Sequence, residues 1–126
     1  MRLNEVTYTD AQPIDGYGPG FFRIGGQVVE GGALVLPSGV QSWAGYDDLD
    51  PLLQTVGQID VLFIGTGAET AHIPPAVRKT LEDAGLAVEP MNSPSACRTY
   101  NVLLSEGRRI GAALLPVERV APSDQV

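Results

Sequence analysis

The sequence predicts a three-layer, single-domain α/β fold with a mixed sheet, in which a βαβαβ second half follows an N-terminal β-hairpin. Between residues 60 and 115, short apolar runs alternate with segments of helical periodicity. Repeats of this kind place parallel strands in one sheet through right-handed crossovers. Upstream, apolar runs are separated only by short glycine-rich breaks, which is typical of antiparallel hairpins. A chain of 126 residues has the size of one domain with one core.

The first 20 residues are dominated by glycine, proline and aspartate. Apart from a short candidate strand at residues 5–9, we predict an irregular arm over residues 1–20, because these residue types form turns. The compact domain is expected over residues 21–116. Residues 117–126 are polar and are expected to form a flexible tail.

Residues 21–36 are predicted to form the N-terminal hairpin. Gly25-Gly26 and Gly31-Gly32 interrupt its apolar runs, and glycine supplies the positive φ that tight hairpin turns require. Pro37-Ser38-Gly39 then ends the hairpin. The next element is a short helix, for which Asp50 is predicted to cap the free amides and Pro51 fits the first helical position.

The second half contains two more helices between apolar strands. The unbroken run Val61–Ile64 predicts a strand covered on both faces. Pro74-Pro75 begins the next helix and Gly85 closes it, and a strand is expected over residues 86–90. Ser93-Pro94 begins the last helix, in which Ala96, Tyr100, Leu103 and Leu104 form one apolar stripe. A final strand follows over residues 109–115.

Composition argues against several classes of function. The 15 acidic and 8 basic residues give a net charge of −7, which repels phosphate backbones and disfavours nucleic acid as a partner. The single cysteine, Cys97, cannot form an intramolecular disulfide, and the N-terminus begins no apolar signal segment. We therefore expect a reducing, cytoplasmic location. No apolar run approaches the length of a membrane-spanning helix, so any contact with the inner membrane is expected to be peripheral.

Two groups of residues form the predicted ligand site. Gly65-Thr66-Gly67 follows a buried strand, where open α/β sheets place their crevices and where free amides can hold an anion. Arg98, Thr99 and Asn101 offer donors near a helix N-terminus, which also suits an anion. The structural alternative is that the glycines permit close backbone approach, while Thr99 and Asn101 bond to neighbouring backbone.

Three further groups of residues are candidates for chemistry or binding, and each has a structural alternative. Cys97, near the same helix start, is a candidate reactive thiol with His72 as its partner, or else a small buried apolar residue. Asp47, Asp48 and Asp50 either bind a hard cation or are explained by capping and solvation, and we predict no metal and no cofactor. A group of aromatic side chains forms either an exposed patch or part of the core. The group is Tyr17, Phe21, Phe22 and Trp43.

Several ordered motifs carry a family resemblance. They are Phe22–Gly26, Ile64–Gly67, Arg98–Leu103, Glu106–Arg108 and Ala112–Pro116. The chain resembles a family of small, uncharacterised α/β proteins that includes mitochondrial NADH:ubiquinone oxidoreductase (complex I) assembly factor 3 and an animal relative associated with adipogenesis. The resemblance implies a three-layer α/β fold with a mixed sheet. It implies no catalytic residues.

Two functional hypotheses follow. The first, which rests on the resemblance, is a non-enzymatic accessory protein that contacts another protein, such as a subunit of a respiratory membrane complex, during assembly. The alternative is a small-molecule or anion-binding protein, or an enzyme, that uses the crevice at Gly65-Thr66-Gly67 and Arg98-Thr99-Asn101. Convergence of these groups in one open pocket favours the second hypothesis, and internal hydrogen bonding of their side chains favours the first. The oligomeric state is not predicted.

Overall fold

A computed structural model describes residues 11–118. Within them the chain forms eight strands and three helices. The strands are β1 (Ile14–Gly18), β2 (Phe21–Ile24), β3 (Gln27–Glu30), β4 (Gly32–Leu36), β5 (Gly39–Trp43), β6 (Val61–Gly65), β7 (Val88–Met91) and β8 (Ile110–Leu114). The helices are α1 (Asp50–Leu53), α2 (Pro75–Asp83) and α3 (Ser93–Ser105). None of these three helices is long and apolar enough to cross a membrane.

The strands form two sheets. The small sheet is antiparallel with the order β1-β2-β3, and the large sheet has the order β5-β4-β8-β6-β7. In the large sheet β8, β6 and β7 are parallel, whereas β4 pairs antiparallel with both β5 and β8. The predicted mixed sheet and βαβαβ second half are therefore confirmed.

Two apolar clusters cover opposite faces of the large sheet, because successive strand residues point to opposite sides. In β6, Phe63 packs into the cluster beneath α3 and the small sheet, which also holds Phe22 and Tyr100. Its neighbours Leu62 and Ile64 pack into the cluster beneath α1 and α2. The large sheet is thus the middle layer of three.

Helix boundaries in the second half follow local sequence signals. α2 begins at Pro75 and ends before Gly85, whose φ of 96° requires glycine. α3 begins at Ser93, where the preceding Asn92 accepts a hydrogen bond on Oδ1 from the Ser95 amide at 2.8 Å. This side chain satisfies one of the free amides of the first turn, so the predicted starts of both helices are confirmed.

The first half differs from the sequence prediction in three places. Residues 14–18 form β1 instead of an irregular segment, and the Asn101 side chain pairs with their first residue. Only β2 and β3 form the expected hairpin, since β4 leaves the small sheet and pairs with β5, a strand that was not predicted.

The candidate strand at residues 5–9 and the tail residues 119–126 lie outside the described residues. Val117, the first residue of the predicted tail, accepts a hydrogen bond on its carbonyl oxygen from the Gly20 amide at 2.9 Å.

The predicted capping role of Asp50 is wrong. Leu49 occupies the N-cap of α1 and no side chain caps the helix, whereas Asp50 is its first residue. Pro51 lies in the first turn, where its missing N–H leaves no bond unmade. Leu52 anchors this short helix because it is fully buried in the cluster beneath it.

β7 lies at one edge of the large sheet and contains a proline. Pro90 is in register with Ile64 of β6. Proline is tolerated at a sheet edge because its missing N–H interrupts no ladder there.

Candidate functional site

The carboxyl ends of β6 and β8 meet the start of α3 around Ser93. The Ser93 amide donates to the Gly67 carbonyl at 2.7 Å, and the Gly67 amide donates back to Ser93 Oγ at 2.9 Å. Ser93 Oγ in turn donates to the Leu115 carbonyl at 2.6 Å. The Ser93 side chain is fully buried, so these bonds tie three chain segments together in the interior.

The other polar groups of the Gly65-Thr66-Gly67 turn also bond within the protein. The Thr66 amide donates to the Met91 carbonyl at 2.8 Å, and Thr66 Oγ1 donates to the Glu69 carbonyl at 2.6 Å. Thr66 Oγ1 also accepts from the Ala71 amide at 3.1 Å. The amides of Thr66 and Gly67, which were predicted to hold an anion, are therefore already used.

Close packing accounts for the first glycine of the turn. A Cβ on Gly65 would lie 2.6 Å from Ser93 Oγ and 2.9 Å from Leu114 Cδ2. Neither approach is tolerable, because the Ser93 and Leu114 side chains are both fully buried in a close-packed interior. Gly65 thus lets α3 approach the end of β6.

Beside this turn lies a shallow depression of about 370 Å³, lined by Thr66, Gly67, Ala68, Leu115, Pro116 and Glu118. The charged side chain in this lining is the carboxylate of Glu118. A carboxylate repels a bound anion, so the electrostatics of the depression disfavour the predicted anion.

Asn101 holds β1 against α3. Its Nδ2 donates to the Ile14 carbonyl at 2.8 Å, and its Oδ1 accepts from the Ile14 amide at 2.9 Å. The neighbouring Tyr100 hydroxyl donates to the Gln12 carbonyl at 3.0 Å. The side-chain amide of Asn101 therefore bonds the Ile14 backbone as a neighbouring strand would, in addition to the pairing of Ile14 with Ile24 of β2.

The two groups of the predicted ligand site are not in one pocket. Arg98 and Thr99 line a separate depression of about 370 Å³ together with Val102 and Leu103. Arg98 is exposed, and its Nη2 donates to Ser95 Oγ at 3.2 Å. Asn101 lines neither depression.

Cys97 is buried in the cluster beneath α3. Burial raises the pKa of its thiol to about 11, an effect that the positive charge of Arg98 partly offsets. His72 is exposed, and the adjacent Ile73 packs in the cluster on the other face of the large sheet. This arrangement gives Cys97 the environment of a buried apolar residue, not of an activated thiolate.

Of the acidic cluster and the aromatic residues, Asp48 and Trp43 make contacts that stabilise the fold. Asp48 Oδ2 accepts from the Ala44 amide at 3.3 Å, while Asp47 and Asp50 are exposed. Within residues 11–118, no group of three or more His, Cys, Asp or Glu side chains is placed to hold a metal. Trp43 is buried and donates from Nε1 to the Asp48 carbonyl at 2.9 Å. Its ring meets Tyr46 edge to face at 5.9 Å.

The remaining aromatic residues divide between core and surface. Phe22 is fully buried, Phe21 is half-buried and Tyr17 is 44% exposed. The side chains of Val102 and Val28 are even more open, at 56% and 50%. Neither valine was singled out from the sequence. Val102 lies outside the apolar stripe of α3 that contains Ala96 and Tyr100. This position in the helical periodicity is the sequence signal for its exposure.

Comparison with known proteins places this architecture in a family. Residues 14–115 match the family described as "Protein of unknown function (DUF498/DUF598)". An uncharacterized protein of Rhodobacter capsulatus is 50% identical over 123 residues, which cover 98% of this chain and 99% of that protein.

A second relative has a functional name. NADH dehydrogenase [ubiquinone] 1 alpha subcomplex assembly factor 3 of Danio rerio is 37% identical over 107 residues, which cover 79% of this chain. The match spans 62% of that relative's length. Among solved structures, the crystal structure of an outer membrane protein from Bartonella henselae superposes with a TM-score of 0.79. The two are 35% identical, and the match covers 88% of this chain and 99% of that one. Because the match to the family covers residues 14–115, the chain belongs to the DUF498/DUF598 family.

Proposed function

We propose that this chain is a non-enzymatic accessory protein that supports the assembly of a respiratory membrane complex by contact with another protein. The observation that carries the proposal is the 37% identity to NADH dehydrogenase [ubiquinone] 1 alpha subcomplex assembly factor 3. Similarity at this level extends well beyond a few motif residues, so we transfer the role of the relative as a hypothesis.

The bonding of the motif residues supports a structural role for them. Asn101 bonds to the Ile14 backbone, and Thr66 bonds within its own loop. The Cys97 thiol is buried and its pKa is raised, so it is protonated near neutral pH. Thr66, Asn101 and Cys97 thus have their contacts inside the domain, which leaves other, exposed side chains for contact with a partner.

The anion-binding alternative has weaker support. Its two halves line separate depressions, and Glu118 contributes a carboxylate beside the Gly65 turn. We therefore favour contact with a protein, at the cytoplasmic surface of the inner membrane where respiratory complexes are assembled.

Deletion of the gene for this chain in its native organism tests the assembly role. The fully assembled NADH:ubiquinone oxidoreductase, resolved by native gel electrophoresis of membranes, should fall severalfold, and NADH-dependent quinone reduction should fall with it. Expression of the intact chain should restore both. Succinate-dependent quinone reduction is the matched control and should stay unchanged. Normal levels of the assembled NADH enzyme in the deletion strain would refute the proposal.

A further inference from the structure

Three arginines in residues 11–118 make no ion pair: Arg23, Arg98 and Arg108. The remaining lysine and arginine side chains of this part of the chain are paired. They form the bridges Arg78–Glu82, Lys79–Asp83 and Arg109–Asp60. Arg23 and Arg98 belong to the layer made by the small sheet and α3, and Arg108 follows the end of α3. Of the three unpaired arginines of a chain with a net charge of −7, two thus belong to this layer and the third lies just after the end of α3.

On α3, an exposed apolar side chain accompanies one of these arginines. Val102 is 56% exposed and lies one helical turn after Arg98, so the two share a face of the helix. Both line the depression that Thr99 and Leu103 complete. No carboxylate belongs to this lining, which leaves the charge of Arg98 uncompensated there.

The small sheet repeats the arrangement. Arg23 and Val28 are direct cross-strand partners, on the face opposite to the buried Phe22 and Ile24. They line a depression of about 350 Å³ whose other walls include Phe21 and Glu30. Glu30 lies opposite Phe21 in the strand register and makes no ion pair with Arg23. An arginine next to an exposed valine therefore occurs twice on this layer.

We propose that this layer binds a segment of a partner protein that carries carboxylate side chains next to apolar ones, with Arg98 and Val102 as the main contact. This inference rests on the proposed function and specifies the surface and the chemistry of the partner. Arginine can bond a carboxylate through two parallel N–H groups while its stem packs on apolar surface. Arginine is also enriched among the residues that dominate binding energy. An acidic segment is repelled by the acidic excess of the rest of the chain, whereas the depression of Arg98 has no carboxylate in its lining and offers it a charged contact.

An anionic membrane surface is a poorer occupant. Recognition of anionic lipids relies on clusters of about four to eight basic residues. This layer and the residues just after α3 offer three arginines, together with the carboxylates of Asp15, Glu30 and Glu106.

Site-specific photo-cross-linking in the complemented deletion strain tests the proposal. A photoreactive amino acid replaces Val102 in one chain and Val56 in the control chain. Val56 is also exposed, at 38%, but it lies on the α1 side of the large sheet. We expect position 102 to cross-link to a subunit of the NADH enzyme, or to another assembly protein, at a segment that contains Asp or Glu beside apolar residues. Position 56 should give no such product.

Charge reversal then tests the chemistry. Arg98→Glu should lower the yield at position 102 by about tenfold or more, and Arg98→Lys should lower it less, because lysine keeps the charge but loses the paired N–H groups. Replacement of the cross-linked partner carboxylate by arginine should restore the yield with Arg98→Glu. Circular dichroism of each variant establishes that it is folded.

The outcomes separate this inference from the proposed function. If the wild-type chain restores the NADH enzyme but Arg98→Glu and Val102→Glu do so equally well, the surface is wrong and the assembly role stands. If the wild-type chain restores nothing, the assembly role fails. Cross-links from position 102 to a second copy of this chain would also overturn the inference. The inference would also be overturned if the wild-type chain bound vesicles of phosphatidylglycerol and phosphatidylcholine and Arg98→Glu abolished that binding.

Discussion

Ser93 and Gly67 exchange two hydrogen bonds across the junction between α3 and β6. The Ser93 amide donates to the Gly67 carbonyl at 2.7 Å, and the Gly67 amide donates to Ser93 Oγ at 2.9 Å. This reciprocal pair fixes the start of α3 on the end of a central strand. The junction was a candidate ligand site with a structural alternative, and its internal bonding supports the structural alternative.

Replacement of Ser93 by alanine should reveal the energetic importance of this junction. The Gly67 amide and the Leu115 carbonyl would both lose a buried partner, which should reduce the free energy of unfolding by about 2 kcal/mol. Urea denaturation measures the change. Ser105→Ala is the control, since Ser105 is an exposed serine of the same helix whose Oγ donates to the Val102 carbonyl at 2.6 Å. An equal effect of both changes would contradict the assignment.

Asn101→Asp should weaken the attachment of β1 to α3. Aspartate still accepts from the Ile14 amide but cannot donate to the Ile14 carbonyl, and it places a negative charge beside that oxygen. We expect a loss of about 2 kcal/mol and faster hydrogen exchange at β1 amides. Asn92→Asp provides the contrast, because at the N-cap of α3 aspartate caps as well as asparagine does. If the β1 amides of Asn101→Asp exchanged as slowly as those of the wild-type chain, Asn101 would not be the residue that holds β1 against α3.

The Cys97 thiol should react slowly in the folded protein. With its pKa raised to about 11 by burial, on the order of one molecule in a thousand carries a thiolate at pH 8. Alkylation by iodoacetamide should therefore be at least roughly a hundredfold slower than in the chain unfolded by urea. Labelling at equal rates in the two states would restore Cys97 as a candidate nucleophile.

Stability should decline in alkali because two buried groups hold their protons more tightly in the folded state. Burial raises the pKa of Cys97 from 9.0 to about 11 and that of Tyr100 from 10.0 to about 12. Their contribution is therefore fully present below pH 9 and is lost as pH rises towards 12. Each group contributes a slope of at most about 1.4 kcal/mol per pH unit.

Urea midpoints measured across this range test the alkaline decline. Cys97→Ala lowers stability at every pH by removing buried volume, but it should also delay the decline by about one pH unit. Superimposable pH profiles for the wild-type chain and this variant would contradict the assigned role of Cys97.

The second half of the fold was predictable because its signals are local. Pro75 and Ser93 mark helix starts, and Gly85 ends α2 with a positive φ. These residues act through their own backbone conformation or the first turn beside them. The apolar run in β6 likewise reports its own burial.

The first half was less predictable because its strands depend on distant partners. β1 contains two glycines and a register shift between Ile14 and Gly16, and its first residue is held by Asn101, 87 positions away. β4 and β5 resemble a continuation of the first hairpin in sequence, yet β4 pairs with β8. Strand pairing over such separations has no local signature.

The contacts of the candidate site residues could not be predicted for a related reason. Sequence order places Arg98 and Asn101 on one helical face, but it does not show that the Asn101 amide is bonded to Ile14. Nor does the sequence show that Arg98 lines one depression while the Gly65 turn lies beside another. Residue types were read correctly as hydrogen-bonding groups, whereas their partners required the tertiary structure.

Pro90 makes the two edges of the large sheet unequal as templates for another strand. At the β7 edge this residue offers no amide to an incoming strand, and missing donors discourage edge-to-edge pairing. At the opposite edge, β5 contains no proline and carries the exposed Gln41 and Ser42. Within the described residues, Pro90 therefore makes the β7 edge a poorer template for an added strand than the β5 edge.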